Sequence, residues 1–176
     1  MRLVGQVVRE LNAYLSGHPD ERARIEPLFE TLLDHARRGH CRHGGGCPVI
    51  SAGALVVNER GEVLKARSPH GVWQFVETHV GPTDVTPRTA ALRVVRETFG
   101  PLDVWSCPTH DDAPLVVDVL PAHAAPHYGF RYVFGAFSST LPSALQDNGV
   151  AQWMPLTSIR SDVLQERVRK VLATGV

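Results

Sequence analysis

Over the first 39 residues, apolar side chains recur at three- and four-residue spacing, with Leu28, Phe29, Leu32, Leu33 and Ala36 on one stripe. That is the period of an amphipathic helix with one buried face. Pro19 and Pro27 suit helix starts or a kink, so the pattern predicts two helices, over 2–16 and about 20–38. The segment His40 to Pro48 carries three consecutive glycines and is predicted to be a loop. From residue 49 the pattern shortens. Val49–Val57 and Glu62–Arg67 are β-rich runs on either side of Asn58-Glu59-Arg60-Gly61, as expected of a hairpin. Trp73–Val80 is predicted as a third strand. Asp84 or Thr86 can cap a helix that has Pro87 at its first position and ends near Phe99, before Gly100-Pro101. Further strands are expected at Leu102–Cys107, Leu115–Leu120, His127–Phe137 and Val150–Met154, and a last amphipathic helix at Ser158–Ala173. In the His127 strand, alternation puts Tyr128, Phe130, Tyr132 and Phe134 on one face, expected to be core, and His127, Gly129 and Arg131 on the other.

Mixed strands around a central helix predict an α/β (α+β) sandwich whose mixed sheet is covered by helices. The expected organisation is a helical lead-in (1–39) packed on the domain, a Gly/His/Cys loop (40–48) and the main domain (49–176). Lys+Arg 18 balance Asp+Glu 18, which argues against a dedicated nucleic-acid surface. No apolar run approaches the length of a membrane helix, and Arg9 and Glu10 interrupt the region where an export signal needs an apolar core. A cytoplasmic protein is therefore expected, acting on a small molecule, with its oligomeric state left open. Its Cys41, Cys47 and Cys107 are expected as free thiols or ligands.

From Trp73 to Leu102 the sequence reads WQFVETHVGPTDVTPRTAALRVVRETFGPL. This stretch resembles the Nudix box, G-x5-E-x7-R-E-U-x-E-E-x-G-U, in which U is a bulky aliphatic. It is similar to a subgroup that writes the loop as GGHxExxD: His79 falls on the family His, Asp84 on its acidic residue, and Ala90-Ala91-Leu92-Arg93 on its Ala-Ala-Leu-Arg. The likeness extends to Ser51–Val57, to Trp73, to Pro126–Tyr132 and to Val150–Leu156, covering roughly residues 49–172. The resemblance implies a Nudix-like α/β/α sandwich. It also implies a box helix whose three glutamates hold Mg²⁺ or Mn²⁺ for attack on a diphosphate. Here those three positions are Val94, Glu97 and Thr98, the loop glycines are Glu77-Thr78, and the loop glutamate is Gly81. At the subgroup's strand Asp the chain has Gly129. The box is degenerate.

Candidate chemistry follows. Arg93 and Glu97, four apart on one helix face, are either part of a catalytic constellation or a surface ion pair. Alternation places Trp73, Phe75, Glu77 and His79 on one face, where Glu77 and His79 could divide base and acid roles; the plain alternative is an exposed Glu and a loop His. The resemblance places Asp118, His123 and His127 around a substrate pocket, with Trp73 and Phe75 as further lining and Arg131 able to meet a phosphate bidentately; the plain alternative is solvent-facing strand residues. Trp105 and Trp153 read as core or pocket wall. A Mg²⁺ or Mn²⁺ site would need Glu97 with Asp84 or Glu77 as substitute ligands. His40, Cys41, His43 and Cys47, with Cys107 and His110 as further members, could hold zinc, although C-x5-C matches no common knuckle. Three functions remain in view: a Nudix-type hydrolase on a rebuilt metal site, a metal-independent acid/base enzyme around Glu77 and His79, and a silent ligand-binding module.

Overall fold

The computed structural model describes residues 2–38, 47–106, 113–120 and 126–174. Helices α1 (Arg2–Gly17) and α2 (Arg22–Arg38) form, joined through a short 3₁₀ turn that Pro19 opens, but the buried face of α2 is Ile25, Leu28 and Leu32, while Leu33 and Ala36 of the expected stripe are exposed. Pro27 sits inside α2 rather than at its start. The strands are β1 (Val49–Val57), β2 (Glu62–Arg67), β3 (Trp73–Gln74), β4 (Val76–His79), β5 (Val104–Ser106), β6 (Val116–Leu120), β7 (His127–Ala136) and β8 (Ala151–Pro155). Helix α3 (Pro87–Phe99) follows β4, the five-residue α4 (Ser143–Asp147) precedes β8, and α5 (Asp162–Ala173) ends the fold. None of the described helices is long and apolar enough to cross a membrane.

One mixed sheet of eight strands runs β3-β2-β1-β7-β5, with β4 on β1, β6 on β7 and β8 on β2. Its spine is the parallel pairing of β1 with β7, from Val49 opposite His127 to Val57 opposite Gly135. Trp73–Val80, expected as one strand, is two: Trp73 and Gln74 pair with β2, and after Phe75 the chain moves over to pair with β1. The change of partner arises because β1 takes the same edge of β2 from Leu64 on, so the chain leaving β3 can only continue alongside β1. The last helix starts later than expected, at Asp162, because Leu156–Ser158 forms a 3₁₀ turn and Ser161 then caps α5 by accepting from Leu164 N.

The two faces of the sheet bury different layers. On one, Ala52, Ala54, Val56, Phe130, Tyr132 and Phe134 pack against Leu11 and Tyr14 of α1, Leu28 of α2, and Ala90, Ala91 and Val95 of α3. The aromatic row of β7 is therefore core, as alternation predicts. On the other, Leu55, Val57, Val63 and Val133 meet Leu164, Val168 and Val171 of α5. Helix α3 begins at a capping box: Thr86 Oγ1 accepts from Thr89 N at 3.1 Å, Thr89 Oγ1 accepts from Thr86 N, and Pro87 fills the first position. It stops at Gly100, whose φ of 66° is open to glycine at little cost.

The N-terminal helices are pinned by polar contacts as well. Arg167 of α5 donates to Tyr14 Oη (2.7 Å), to the Leu115 carbonyl (2.9 Å) and to Glu21. Glu10, 6% exposed, accepts from Tyr132 Oη and lies beside Thr86 and Arg88. Burial raises its carboxyl from 4.5 to about 7, only partly offset by Tyr132, Thr86 and Arg88. Between those two values the folded protein holds a proton that the unfolded chain has released, so the fold loses stability as pH rises through this window. Glu10→Gln should leave the melting temperature at pH 5 near wild type and raise it at pH 8, the difference corresponding to about 3 kcal/mol. Parallel wild-type and variant curves across that range would show that Glu10 does not titrate there.

Candidate active site

Strand register assembles the site. On the sheet face beneath α5, Gly53 of β1 lies between Glu77 of β4 and Arg131 of β7; one row along, Ser51 lies between His79 and Gly129, and Gly129 faces Asp118 of β6. Apolar side chains fill this face at the Leu55 and Val133 end, where α5 covers it. The Ser51 and Gly53 end carries the polar residues instead.

Arg131 is the centre of the group. Its Nη1 donates to Glu77 Oε2 at 2.6 Å and its Nε to Asp118 Oδ2 at 3.0 Å, so one guanidinium spans β4, β1, β7 and β6. Gly53 makes this reach possible, since a Cβ there would stand 2.5 Å from Nη1. The Arg131 side chain is 15% exposed, and a cation so far from water must be paired. Desolvation works against its charge, but Glu77 and Asp118 outweigh it and hold its pKa up. At Glu77 desolvation pushes the carboxyl up, yet the charge of Arg131, the hydrogen bonds from Ser51 and Arg131, and His127 nearby together leave it below its ordinary value.

A second chain of contacts starts from the other Glu77 oxygen. Ser51 Oγ donates to Glu77 Oε1, and His127 Nε2 lies 2.7 Å from the same Oγ and 4.0 Å from Glu77 Oε1. A hydroxyl has one proton; with that proton given to Glu77, Ser51 can only accept from His127. Nε2 therefore carries hydrogen and Nδ1 is left as the ring's acceptor. The His79 ring lies 5.9 Å from that of His127, centroid to centroid. Ser51 was not among the candidate site residues of the sequence, where it stands only as the start of the Ser51–Val57 likeness. Its signal was parity: it alternates with Gly53 and Leu55, on the face opposite Ala52 and Ala54.

Glu97, Arg93 and Asp84 form a separate cluster. Arg93 donates to both Asp84 oxygens (3.0 and 2.9 Å), to Glu97 (3.2 Å) and to the His79 carbonyl (3.3 Å), tying α3 to the loop before it. Asp84 also accepts from Gly81 N at 2.8 Å, and its side chain is 4% exposed. The hydrogen bond from Arg93 keeps the Asp84 carboxyl below its ordinary value, against burial. Glu97 stands at the solvent-facing end, where its contact with Arg93 is an exposed i,i+4 pair of little energetic weight.

These residues do not fit a divalent-cation site of the Nudix-box kind. Hard cations want several oxygen ligands free to turn toward them. Val94 is packed in the core, position 98 is a threonine, Asp84 spends both oxygens on Arg93, and Glu77 spends both on Ser51 and Arg131. Among the described residues no three His, Cys, Asp or Glu side chains converge as a ligand group. Of the zinc candidates, His40, Cys41 and His43 lie outside the described residues, as do Cys107, His110 and His123. Cys47 corrects the free-thiol expectation: it is disulfide-bonded, with its sulfur 3.5 Å from His35 Nδ1.

A cleft of about 410 Å³ opens beside Glu77, Asp118 and Arg131. Trp73 and Phe75 form part of its wall, and Lys65, Ser158, Arg160 and Ser161 line it further on. Trp105 instead lies over Gly135, and Trp153 packs against the core on the opposite face of the sheet.

A mixed sheet between the α1–α3 layer and α5, with a capped helix after β4, defines the α/β/α architecture of Nudix proteins. The family profile described as NUDIX domain matches residues 48–174, and the chain belongs to the NUDIX superfamily. Many solved structures share the fold, two of them as follows. An Ap4A hydrolase from C. elegans is 18% identical, with 73% of this chain and 98% of that one covered at a TM-score of 0.53. A NUDIX-family hydrolase from Clostridium perfringens is 14% identical, with 71% and 97% covered at a TM-score of 0.52. No curated protein sequence matches the chain.

Gly53→Ala tests the placement of Arg131. The added methyl should displace the guanidinium from Glu77, destabilise the fold by about 1–3 kcal/mol and let the Glu77 carboxyl titrate higher than in wild type, read by carboxyl NMR. An unshifted Glu77 would show that Arg131 does not set its ionisation.

Proposed function

We propose that this NUDIX-superfamily chain is a small-molecule hydrolase whose acid/base centre is Glu77–Ser51–His127 and not the box helix. The observation that carries the reading is the Ser51 hydroxyl, bonded at once to Glu77 and His127. A general base is most effective when a third group fixes its tautomer and steadies the charge it gains. Glu77 does both through Ser51. His127 takes a proton at Nδ1 from a water or substrate hydroxyl, the imidazolium is stabilised by the carboxylate 4.0 Å from Nε2, and the proton returns to the leaving group. Arg131 keeps Glu77 ionised and fixed in place. His79, beside His127, can position the leaving group, and the substrate lies along Trp73 and Phe75 in the cleft, whose lining meets this centre at Glu77.

The reading with a rebuilt Mg²⁺ or Mn²⁺ site at Glu97, Asp84 and Glu77 has against it that Asp84 and Glu77 are each committed to an arginine. The Ap4A hydrolase neighbour acts on a dinucleoside polyphosphate, so diphosphate-linked compounds belong in the first substrate panel, together with carboxylic and phosphoric esters. Turnover should persist in EDTA and fall by roughly 100-fold or more in His127→Asn. In Ser51→Ala, kcat should fall with KM little changed, and Glu97→Gln should stay close to wild type. Metal-dependent turnover that Glu97→Gln abolishes would overturn the proposal in favour of a hydrolase working from the box helix. Ligand binding with no turnover in any condition would overturn it in favour of a silent module.

A further inference from the structure

The chain has sixteen arginines and only two lysines, Lys65 and Lys170. Lys170 is on the open surface of α5, its Nζ 3.8 Å from Glu166. Lys65 is the opposite case. It is on β2, in a run of buried residues, and is 7% exposed. By alternation with Val63 its side chain leaves the sheet on the α5 face and reaches the cleft. There Nζ donates to the Ser158 carbonyl at 2.7 Å and stands 5.1 Å from the centre of the Phe75 ring. Arg131 and Arg167, also largely enclosed, each bind a carboxylate, whereas Lys65 makes no ion pair among the described residues.

The groups around Nζ shift it from ammonium toward amine. Arg160 lines the cleft and acts on Lys65 with like charge. Glu77 and Asp118 line it as well, and with Arg131 they leave one negative charge there, but both turn toward Arg131 and neither pairs with Lys65. Burial first, and then Arg160, hold the Lys65 ammonium below its ordinary value. A guanidinium in this position would stay charged, whereas an amine sheds its proton and becomes a nucleophile. The Ser158 carbonyl needs only one of the amine hydrogens, so the lone pair is left for chemistry.

We propose that Lys65 is a carbonyl-reactive amine, and that the cleft captures a small aldehyde or ketone as an imine on Nζ, beside the Phe75 ring. The step balances without a co-reactant. Nζ adds to the carbonyl carbon, the C–N bond forms and the C=O bond breaks. The oxygen leaves as water, taking one hydrogen from the amine and the proton that the ammonium shed before attack. The remaining hydrogen stays on the protonated imine and keeps the bond to the Ser158 carbonyl. At about 410 Å³ the cleft admits a molecule of several carbon atoms. The inference does not rest on the hydrolase reading, since it uses none of Glu77, Ser51 or His127 and is read without turnover.

The test is reaction with acetylacetone, a neutral diketone whose imine with a lysine rearranges to a conjugated enaminone that absorbs in the near ultraviolet. The adduct adds one acetylacetone less one water to the chain, and peptide mass spectrometry reads its site. At pH 7 wild type should label at Lys65 about tenfold faster than at Lys170, the control within the same chain. Lys65→Met, which keeps the apolar stem, and Lys65→Arg, which keeps the charge, should both lose the fast phase. Arg160→Gln removes the like charge and lets the ammonium keep its proton to higher pH. It should therefore slow labelling of Lys65 several-fold at pH 7, and raising the pH should restore the wild-type rate. Labelling of Lys65 no faster than that of Lys170 would overturn the proposal. A fast phase that survives in Lys65→Met, or an Arg160→Gln rate equal to wild type at pH 7, would do the same.

Discussion

The guanidinium of Arg131 lies across Gly53, and the polar half of the sheet is organised around that placement. A nearly buried cation on a central strand must be paired or it destabilises the fold. Glu77 on one side and Asp118 on the other supply the charge, and each in turn is fixed in position. Glu77 then has one oxygen left, and Ser51 connects it to His127. One ion-paired side chain thus brings four strands to a common site and sets the ionisation of the carboxylate within it. It also accounts for a glutamate at a position where the Nudix box has a loop glycine: with Arg131 reaching over β1, a carboxylate on β4 is what meets it.

The box helix has followed a different course. It keeps the fold role of its family, capped by Thr86 and closed by Gly100, and it buries Val94 where the family pattern carries a glutamate. Arg93 binds Asp84 and the His79 carbonyl, so the helix braces the loop that positions His79 beside His127. The carboxylates Asp84, Glu97 and Glu77 are each tied to an arginine.

Much of this fold was legible in the sequence because its signals are local. Thr86-Pro87 and Gly100 mark the ends of α3, and the alternation of Tyr128 to Phe134 fixes which face of β7 is core. Glu77, His79, Asp118, His127 and Arg131 could be named as candidates from residue type, parity and family likeness. Their meeting could not, because it depends on register between strands far apart in sequence, with Gly53 opposite both Glu77 and Arg131. The partner change within Trp73–Val80 was hidden for the same reason, since it depends on where β1 takes over the edge of β2. Ser51 and Lys65 were invisible because a lone polar residue in an apolar strand shows its purpose only through what stands across from it. Helix α4 has too few residues to carry a period.

If Glu77, acting through Ser51, fixes the ring of His127, Nδ1 is the atom that accepts a proton. Long-range proton–nitrogen NMR of the histidine rings measures this directly. Neutral His127 should be the tautomer protonated at Nε2, and Ser51→Ala should release it into a mixture of tautomers. A wild-type His127 protonated at Nδ1, or a tautomer that Ser51→Ala leaves unchanged, would contradict it.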